Sequence, residues 1–502
     1  MTSDPSADAT SDRGARRPNI VLFMPDQLRA DGVGCFGSPV AKTPTIDALA
    51  ARGVRFEDAW SQHPVCGPSR VSLLTGWYPH VNGHRTLDHL ITDDEPNLFK
   101  ILRAAGYRVM IAGDRGDVFA PGVTEASSDM CGFLEPPVPA DARARWTSPY
   151  PADHPMHRAM YFGENGYADM VDFDEETVQT AIRWLTDHAP TDETWVLWVP
   201  LIFPHPPFTV EEPWFSLHDR EAMPEPIPAD ATDRKPGFMD AYRKIYGWDD
   251  LSEGDLREIA AVYHGMVSRV DDQLRRVLAA VDDIGATDDT LVGFFTDHGE
   301  YLGDYGLVEK WPSAMDPSIL RNPLILAGAG LPEGIVIDRP VELIDLLPTL
   351  CDLAGTEPEH THFGRSLLPV IDDPTLTHRD FACSEGGFRV TDVDLLEWAK
   401  WIYEPKARLQ HERPDLVGTA MAVRTPTHTY IHRRYESDEY YDRVADPQET
   451  VNLIGREDDL DLQHRLLTEL LGWLADTSDV IPWEKHPRRP EIPHGERGRP
   501  PS

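Results

Sequence analysis

Short apolar runs separated by polar residues recur along the chain and predict buried strands. Four such runs cover residues 19–24, 107–113, 195–202 and 290–296. Strands that are apolar on both faces are typical of a parallel sheet covered by helices. Apolar residues at helical spacing predict amphipathic helices over 174–188 and 253–283, and the segment 43–56 contains a helix that starts at Thr43-Pro44 and stops at Gly53. The pattern indicates an α/β fold with a mostly parallel central sheet.

The pattern changes around residues 380–400. Two short runs, 422–425 and 429–431, predict antiparallel strands, and 460–476 predict a final helix. We therefore expect a main α/β domain over 18–385 and a C-terminal subdomain over 386–480 that consists of a small antiparallel sheet and a helix. The polar residues 1–17 are expected to be a disordered tail, and the Pro/Arg-rich residues 481–502 an extended one.

Polar residues with metal-binding side chains follow two of the predicted strands. Asp26 and Gln27 follow the first strand, and Asp297 and His298 follow the fourth. Ligands of open α/β sheets bind at the carboxyl ends of the strands, so these four residues lie where a site is expected. An aspartate in this position can also simply cap a helix. The mainly oxygen ligand set suits a hard divalent cation, and the histidine extends the choice to Mn²⁺ or Zn²⁺.

The charge of the chain is strongly negative. Its 85 acidic and 47 basic residues give a formal net charge of −38, and only eight of the basic residues are Lys. Such a surface repels phosphate backbones, which argues against nucleic-acid binding. An acidic, lysine-poor surface is also typical of proteins that work in concentrated salt, although a GC-rich genome favours Arg over Lys in the same way.

The cysteines and the apolar runs bear on the compartment. The five cysteines, at positions 35, 66, 131, 351 and 383, are scattered and odd in number, which argues against a disulfide framework or a zinc–thiolate site. The N-terminal residues contain no apolar signal segment, and no apolar run is long enough to span a membrane. These features predict a cytoplasmic protein without a membrane partner.

The stretch from Cys66 to Gly76 carries the most specific signal in the chain. It has the form C-x-P-S-R-x-x-x-L-T-G and resembles the signature of the sulfatase family, within the alkaline-phosphatase-like superfamily. The resemblance implies an alkaline-phosphatase-like fold and a sulfatase catalytic domain over 18–385. It also implies that a formylglycine-generating enzyme oxidises Cys66 to formylglycine. The hydrated aldehyde of that residue would be the nucleophile.

Further motifs match the same family in order along the chain. The segment Pro204-His205-Pro206-Pro207-Phe208 resembles the family's P-H-x-P-F, and Asp297-His298-Gly299 resembles its second metal motif. The resemblance implies catalytic roles for Arg70, His205 and Lys310 around the oxyanion. It implies one divalent metal, Ca²⁺ in the first place with Mn²⁺ or Zn²⁺ as alternatives, bound by a ligand set of Asp26, Gln27, Asp297, His298 and the modified Cys66.

One motif departs from the family pattern. Sulfatases usually follow the second predicted strand with Gly-Lys, whereas this chain has Gly113-Asp114-Arg115. We expect Arg115 to replace the missing lysine as a catalytic residue. The pair Asp26-Gln27, combined with Asp297-His298, is similar to the choline-sulfatase and phosphonate monoester hydrolase members of the superfamily.

The resemblance leaves three functions open. The first is hydrolysis of a small-molecule sulfate ester, and the second is hydrolysis of a phosphonate monoester or phosphodiester at the same site. Sulfate monoesters and phosphodiesters are both monoanions of similar shape, so the motifs do not separate them. The third is a non-catalytic relative that binds anions, which only the missing Gly-Lys supports.

The net charge generates a prediction about salt. Repulsion among like charges destabilises the compact state at low ionic strength, and molar salt reduces the screening length to about 3 Å. We expect the melting temperature to rise with KCl and to continue rising beyond about 0.5 M. Differential scanning calorimetry tests this. An ordinary acidic enzyme would reach a plateau near physiological salt, and a flat melting temperature would contradict the salt-adapted interpretation.

Overall fold

The computed structural model describes residues 17–113, 118–134, 146–166, 171–231, 234–478 and 480. The candidate residue Arg115 and the tail residues 1–16 and 481–502 lie outside this part of the chain, so the expectations about them stay predictions. Within it, no helix is both long enough and apolar enough to cross a membrane.

The strands are β1 (Asn19–Asp26), β2 (Gly53–Trp60), β3 (Arg108–Ala112), β4 (Met130–Gly132), β5 (Tyr161–Glu164), β6 (Trp195–Pro204), β7 (Phe208–Val210), β8 (Thr290–Phe294), β9 (Arg321–Gly328), β10 (Ile335–Ile337), β11 (Val341–Glu342), β12 (Ala382–Gly386), β13 (Ala420–Arg424), β14 (His428–Arg433) and β15 (Glu439–Asp442).

The α-helices are α1 (Pro44–Ala51), α2 (Cys66–Thr75), α3 (Pro79–Asn82), α4 (Leu98–Ala104), α5 (Val123–Ser127), α6 (Pro155–Arg158), α7 (Phe173–Asp187), α8 (Phe238–Tyr246), α9 (Glu253–Asp283), α10 (Pro317–Leu320), α11 (Leu346–Ala354), α12 (Leu368–Asp372), α13 (Glu404–Glu412) and α14 (Leu460–Ser478).

Nine of the described strands form the central sheet. Their order is β10-β2-β9-β8-β1-β6-β3-β4, and β11 also pairs with β2. Neighbouring strands are parallel, except that β9 is antiparallel to both β8 and β2. Strands β12-β13-β14-β15 form a separate antiparallel sheet, and β5 pairs with β7. The expected fold class, a mostly parallel central sheet with a small C-terminal antiparallel sheet, is confirmed.

Both faces of the central sheet are buried, because successive side chains of a strand point to opposite sides. In β1, Val21 and Phe23 belong to one core cluster, and Ile20, Leu22 and Met24 belong to the other. The first cluster includes side chains of α1, α7 and α9, and the second includes side chains of α2, α4 and α11. This double burial explains why the strand sequences are almost continuously apolar.

Strand β2 was not predicted. Helix α1 ends at Ala51, and Gly53 opens a strand that continues to Trp60. Arg55 and Glu57 are half-buried and alternate with buried neighbours such as Val54 and Phe56, which is a period-two pattern. The charged residues interrupt the apolar run, so a search for continuously apolar strands passes over this one.

The antiparallel sheet packs against the last helix. Leu466, Leu470 and Trp473 of α14 share a core cluster with Val423 and Tyr430 of the sheet. The first strand of this sheet is β12, which lies across the boundary expected between residues 385 and 386.

The topology brings the candidate residues to one edge of the central sheet. Strands β1, β6 and β8 are parallel and adjacent, so their carboxyl ends lie side by side, and β2 ends at the same edge before the loop that leads to α2. Strand β9 runs in the opposite direction, so its first residue, Arg321, also lies at this edge. The connection from β8 to β9 therefore begins and ends there.

Gly299 holds this connection against the chain before β9, and it generates a prediction about stability. Its amide donates to the carbonyl of Ile319 at 2.7 Å. A Cβ atom at Gly299 would lie 2.0 Å from the backbone oxygen of Ser318, so one of the two backbones would have to move. We expect Gly299→Ala to destabilise the fold by about 1–3 kcal/mol.

Gly472 is the matched control. It lies on the exposed side of α14, and a Cβ atom there meets nothing within 4 Å. We expect Gly472→Ala to stabilise the helix by about 0.5–1 kcal/mol. Thermal melting of both variants tests the pair, and an unchanged melting temperature for Gly299→Ala would contradict the close packing of this loop.

Candidate active site

Two carboxylates and an imidazole meet at the carboxyl ends of β1 and β8. Asp26 is the last residue of β1, and Asp297 and His298 follow β8. All three side chains are at most 1% exposed. Each offers a potential ligand atom, and these atoms lie within 4.8 Å of one another. The Thr296 hydroxyl donates to the carbonyl of Pro25 at 2.9 Å and so links the two strand ends.

Arg70 lies between these two carboxylates. Its Nη2 donates to Asp26 Oδ2 at 2.8 Å, and its Nε donates to Asp297 Oδ2 at 2.8 Å. Arg70 is 0% exposed, so its charge depends on these partners for compensation. Helix α2 carries it to this position, and the hydroxyl of the preceding residue, Ser69, donates to the backbone oxygen of Asp297 at 2.7 Å.

The hydrogen bonds of His298 set its tautomer. Nδ1 lies 2.8 Å from the carbonyl oxygen of Gly299, which can only accept, so Nδ1 carries the proton. Nε2 therefore presents a lone pair, 3.7 Å from Asp26 Oδ1 and 3.9 Å from Asp297 Oδ1. It is buried without a hydrogen-bond partner among the described residues. Burial lowers the pKa of His298 despite the nearby Asp297, which favours the neutral ring that binds metals.

Gln27 and Lys310 form the next layer of the site. The backbone N–H of Gln27 donates to Asp297 Oδ1 at 3.1 Å. The side-chain oxygen of Gln27 accepts from Lys310 Nζ at 2.6 Å, and its side-chain nitrogen donates to Glu300. The structure therefore brings Gln27 to the predicted site, with its side chain bonded to Lys310 and Glu300.

The carboxylate of Glu309 receives several donors. Lys310 Nζ donates to its Oε1 at 2.6 Å, and Lys406 Nζ of α13 donates to its Oε2. The hydroxyl of Tyr242 also donates to Oε2, at 3.1 Å. The backbone amide of Glu309 donates to Glu300. One buried carboxylate thus joins the predicted catalytic lysine to a lysine from a distant part of the chain.

Charges in this layer shift one another's pKa. Burial disfavours the charged form of Lys310, but Glu309 and the nearby Cys66 and Asp26 outweigh it and raise the pKa of Lys310. Burial alone would raise the pKa of Glu309, yet the two lysines hold that pKa at about 2. Burial, with Glu309 as a second cause, raises the pKa of Glu300 to about 7. Lys310 and Glu309 are therefore a charged pair at neutral pH.

Two more of the predicted residues, Cys66 and His205, also border this site. Cys66 is buried, opens α2 and lies close enough to Lys310 to affect its pKa. His205 follows β6, is partly buried, and directs Nδ1 at the carbonyl of Pro206 at 2.6 Å. It also lies close enough to Glu309 to help lower the pKa of that carboxyl.

Four more residues lie around this site and were not predicted from the sequence: Glu300, Glu309, Lys406 and Tyr403. Glu300 directly follows the second metal motif and Glu309 directly precedes Lys310, so proximity in the sequence was an available signal for both. Tyr403 lies just before α13 and Lys406 lies in it, far along the chain from the other site residues, and neither belongs to a recognised motif. The ring of Tyr403 is 6.2 Å from that of His205, and its hydroxyl donates to the carbonyl of Pro206 at 3.4 Å.

The donor set fits a divalent cation. Two buried carboxylates and an imidazole, whose Nε2 has no hydrogen-bond partner in the part of the chain that the structure describes, converge from two strand ends. Carboxylate oxygens suit Ca²⁺, and the added imidazole suits Mn²⁺ or Zn²⁺ as well. A bound cation would satisfy His298 Nε2 and reduce the repulsion between Asp26 and Asp297.

Comparisons with known proteins agree with this arrangement. The sulfatase family profile matches residues 18–356. The multifunctional alkaline phosphatase superfamily protein PehA of Trinickia caryophylli is 29% identical over an alignment 517 positions long, which covers 92% of this chain and 96% of that protein. Choline-sulfatase of Rhizobium meliloti is 26% identical over 87% of this chain and 82% of its own length.

A solved structure has the same fold. The crystal structure of phosphonate monoester hydrolase of Agrobacterium radiobacter superposes with a TM-score of 0.71 at 23% identity. The superposition covers 92% of this chain and 96% of that one.

Removal of Asp297 generates a prediction about metal content. Asp297→Ala deletes a carboxylate of the candidate metal site and a partner of Arg70, so we expect loss of the bound metal and of turnover. Asp373→Ala, which deletes an exposed carboxylate, is the control and should retain both. Elemental analysis of the purified variants is the measurement. Equal metal content in the two variants would place the metal elsewhere.

Proposed function

Because this chain belongs to the sulfatase family, we propose that it hydrolyses sulfate esters, with the formylglycine derived from Cys66 as the nucleophile. The observation that carries the proposal is the spacing of Cys66 and Arg70 on α2. They are four residues apart and so share one face of the helix, and Arg70 bonds both carboxylates of the candidate metal site. The proposed nucleophile, the guanidinium of Arg70 and the proposed metal ligands would therefore lie together in one buried place.

The nucleophile also benefits from its position in the helix. Cys66 is the first residue of the ten-residue helix α2, whose N-terminal amides favour anions. Sulfate esters carry one negative charge, so this end of the helix attracts the substrate to the nucleophile. The buried surroundings strengthen the attraction, because few water molecules screen it.

The cationic residues would neutralise the anion as it reacts. Arg70 and Lys310 are buried and charged, and they would face the oxygens of the sulfate group, where preorganised charge contributes most to such catalysis. A divalent cation held by Asp26, Asp297 and His298 would act as a Lewis acid that favours the ionised nucleophile. Lys310 or His205 would donate the proton that the leaving alcohol requires.

Phosphonate monoesters and phosphodiesters are the second candidate substrates. PehA is named a multifunctional member of the alkaline phosphatase superfamily, and a phosphonate monoester hydrolase shares the fold. A phosphodiester has the charge and approximate shape of a sulfate monoester. The same buried cations would therefore accept either group.

The nucleophile assignment predicts the behaviour of two Cys66 variants. Cys66→Ala should lower kcat by about a thousandfold or more, because alanine cannot be converted to the formylglycine whose hydroxyl oxygen would bond to the substrate. Cys66→Ser should also be severely impaired, because an ester formed on a serine lacks the second hydroxyl that expels sulfate. Thermal melting would verify that the fold is intact, and full activity of Cys66→Ala would exclude this residue as the nucleophile.

Two further measurements complete this test. Intact mass and a peptide map around Cys66 report the conversion of thiol to aldehyde. The ratio of kcat/KM on matched aryl sulfate and aryl phosphodiester substrates decides between the two substrate classes, and a ratio in favour of the phosphodiester would replace the proposed reaction by the second one.

A further inference from the structure

Helix α13, from the C-terminal part of the chain, lies close to the layer of the site that contains Lys310 and Glu309. Lys406 lies in the first turn of α13, is 9% exposed and bonds Glu309. Tyr403 precedes the helix by one residue and contacts the loop of His205 through Pro206. The approach is fixed from the other side by Tyr246 of α8, whose hydroxyl donates to the carbonyl of Ile402 at 2.9 Å.

Glu309 divides its carboxylate between two lysines. Oε1 accepts from Lys310, and Oε2 accepts from Lys406 and from the hydroxyl of Tyr242. Each oxygen of the carboxylate is thereby held by different donors, and this fixes the plane of the carboxylate. The backbone of Glu309 has φ of +68°, in the left-handed region that is unfavourable for residues other than glycine, and such a conformation is usually retained where geometry matters.

Lys310 needs this support because its ammonium ends a flexible four-carbon chain. Such a group does not hold one position unless its neighbours restrain it. Among the described residues, two of its N–H groups are directed at Gln27 Oε1 and Glu309 Oε1, both at 2.6 Å. These two bonds orient the third N–H of the ammonium, which can donate a hydrogen bond to a substrate oxygen.

We propose that Lys406 is a positioning residue for Lys310: by holding the second oxygen of Glu309, it keeps the first oxygen, and with it the Lys310 ammonium, in place. This inference rests on the proposed function. Without Lys406, only the hydroxyl of Tyr242 still donates to the second oxygen of Glu309. Lys310 is then the one ammonium left to the carboxylate, which turns so that both of its oxygens face Lys310. Lys310 is then drawn away from Gln27 and from the substrate.

The test replaces Lys406 by methionine, which keeps the length of the side chain and removes its charge. Arg408→Met is the matched control, because Arg408 lies on the same helix, carries the same charge and is 46% exposed. Crystal structures of both variants would report the distance from Lys310 Nζ to Gln27 Oε1. We expect the contact to be lost in Lys406→Met and kept in Arg408→Met.

Kinetics with two aryl sulfates provide the second readout. For phenyl sulfate, whose leaving group needs a proton, we expect Lys406→Met to lower kcat about 10- to 100-fold with little change in KM. For 4-nitrophenyl sulfate, whose leaving group is already good, we expect a smaller decrease. Lys406→Arg restores a cation beside Glu309 and should recover part of the loss.

Several outcomes would overturn the inference. An unchanged Lys310 in the structure of Lys406→Met would do so, as would a raised KM with unchanged kcat, since that indicates direct contact with substrate. Equal losses for both leaving groups in a variant with a lower melting temperature would indicate a merely structural role. If the wild-type enzyme hydrolysed neither substrate class, the proposed function would fail, and the structural comparison would still decide the role of Lys406.

Discussion

The ion pairs of Arg70 with Asp26 and Asp297 are the interaction on which the rest of the site depends. All three side chains are buried, and an isolated charge in such surroundings is too unfavourable to persist. The guanidinium offsets part of the negative charge of the two carboxylates, and its donors on Nε and Nη2 orient them. It also ties α2 to the ends of β1 and β8, so the position of Cys66, the first residue of α2, follows from the same contacts.

Charge compensation continues outward from this pair. Lys310 lies beside Gln27 and Glu309, and Glu309 is in turn compensated by Lys406. Each buried charge is thus stabilised by the next, and the sequence of contacts ends on α13. The site is therefore assembled from the central sheet and from the C-terminal part of the chain together, and neither part contains all of its charges.

The sequence predicted the elements whose signal is local. Continuous apolar runs predicted β1, β3, β6 and β8. The polar residues after two of these runs predicted that Asp26, Asp297 and His298 lie close together, because strand ends of a parallel sheet share an edge. Strand β2 was not predicted, because Arg55 and Glu57 interrupt its apolar residues. Lys406 was not predicted for a different reason. Its partner, Glu309, is distant in the sequence, and the two meet through tertiary packing that includes the contact of α13 with α8. A lone lysine in a helix otherwise indicates an exposed face.

The reversed direction of β9 has a consequence for how such a site can change during evolution. Because β8 and β9 are antiparallel neighbours, the chain leaves the sheet after Phe294 and returns at Arg321 on the adjacent strand. Residues 295–320 are therefore one excursion with closely spaced ends. This excursion carries Asp297, His298, Glu300, Glu309 and Lys310. Insertions, deletions or exchange of the whole segment can therefore alter the chemistry of the site while the strands of the sheet keep their register. The segment can change as one unit during evolution.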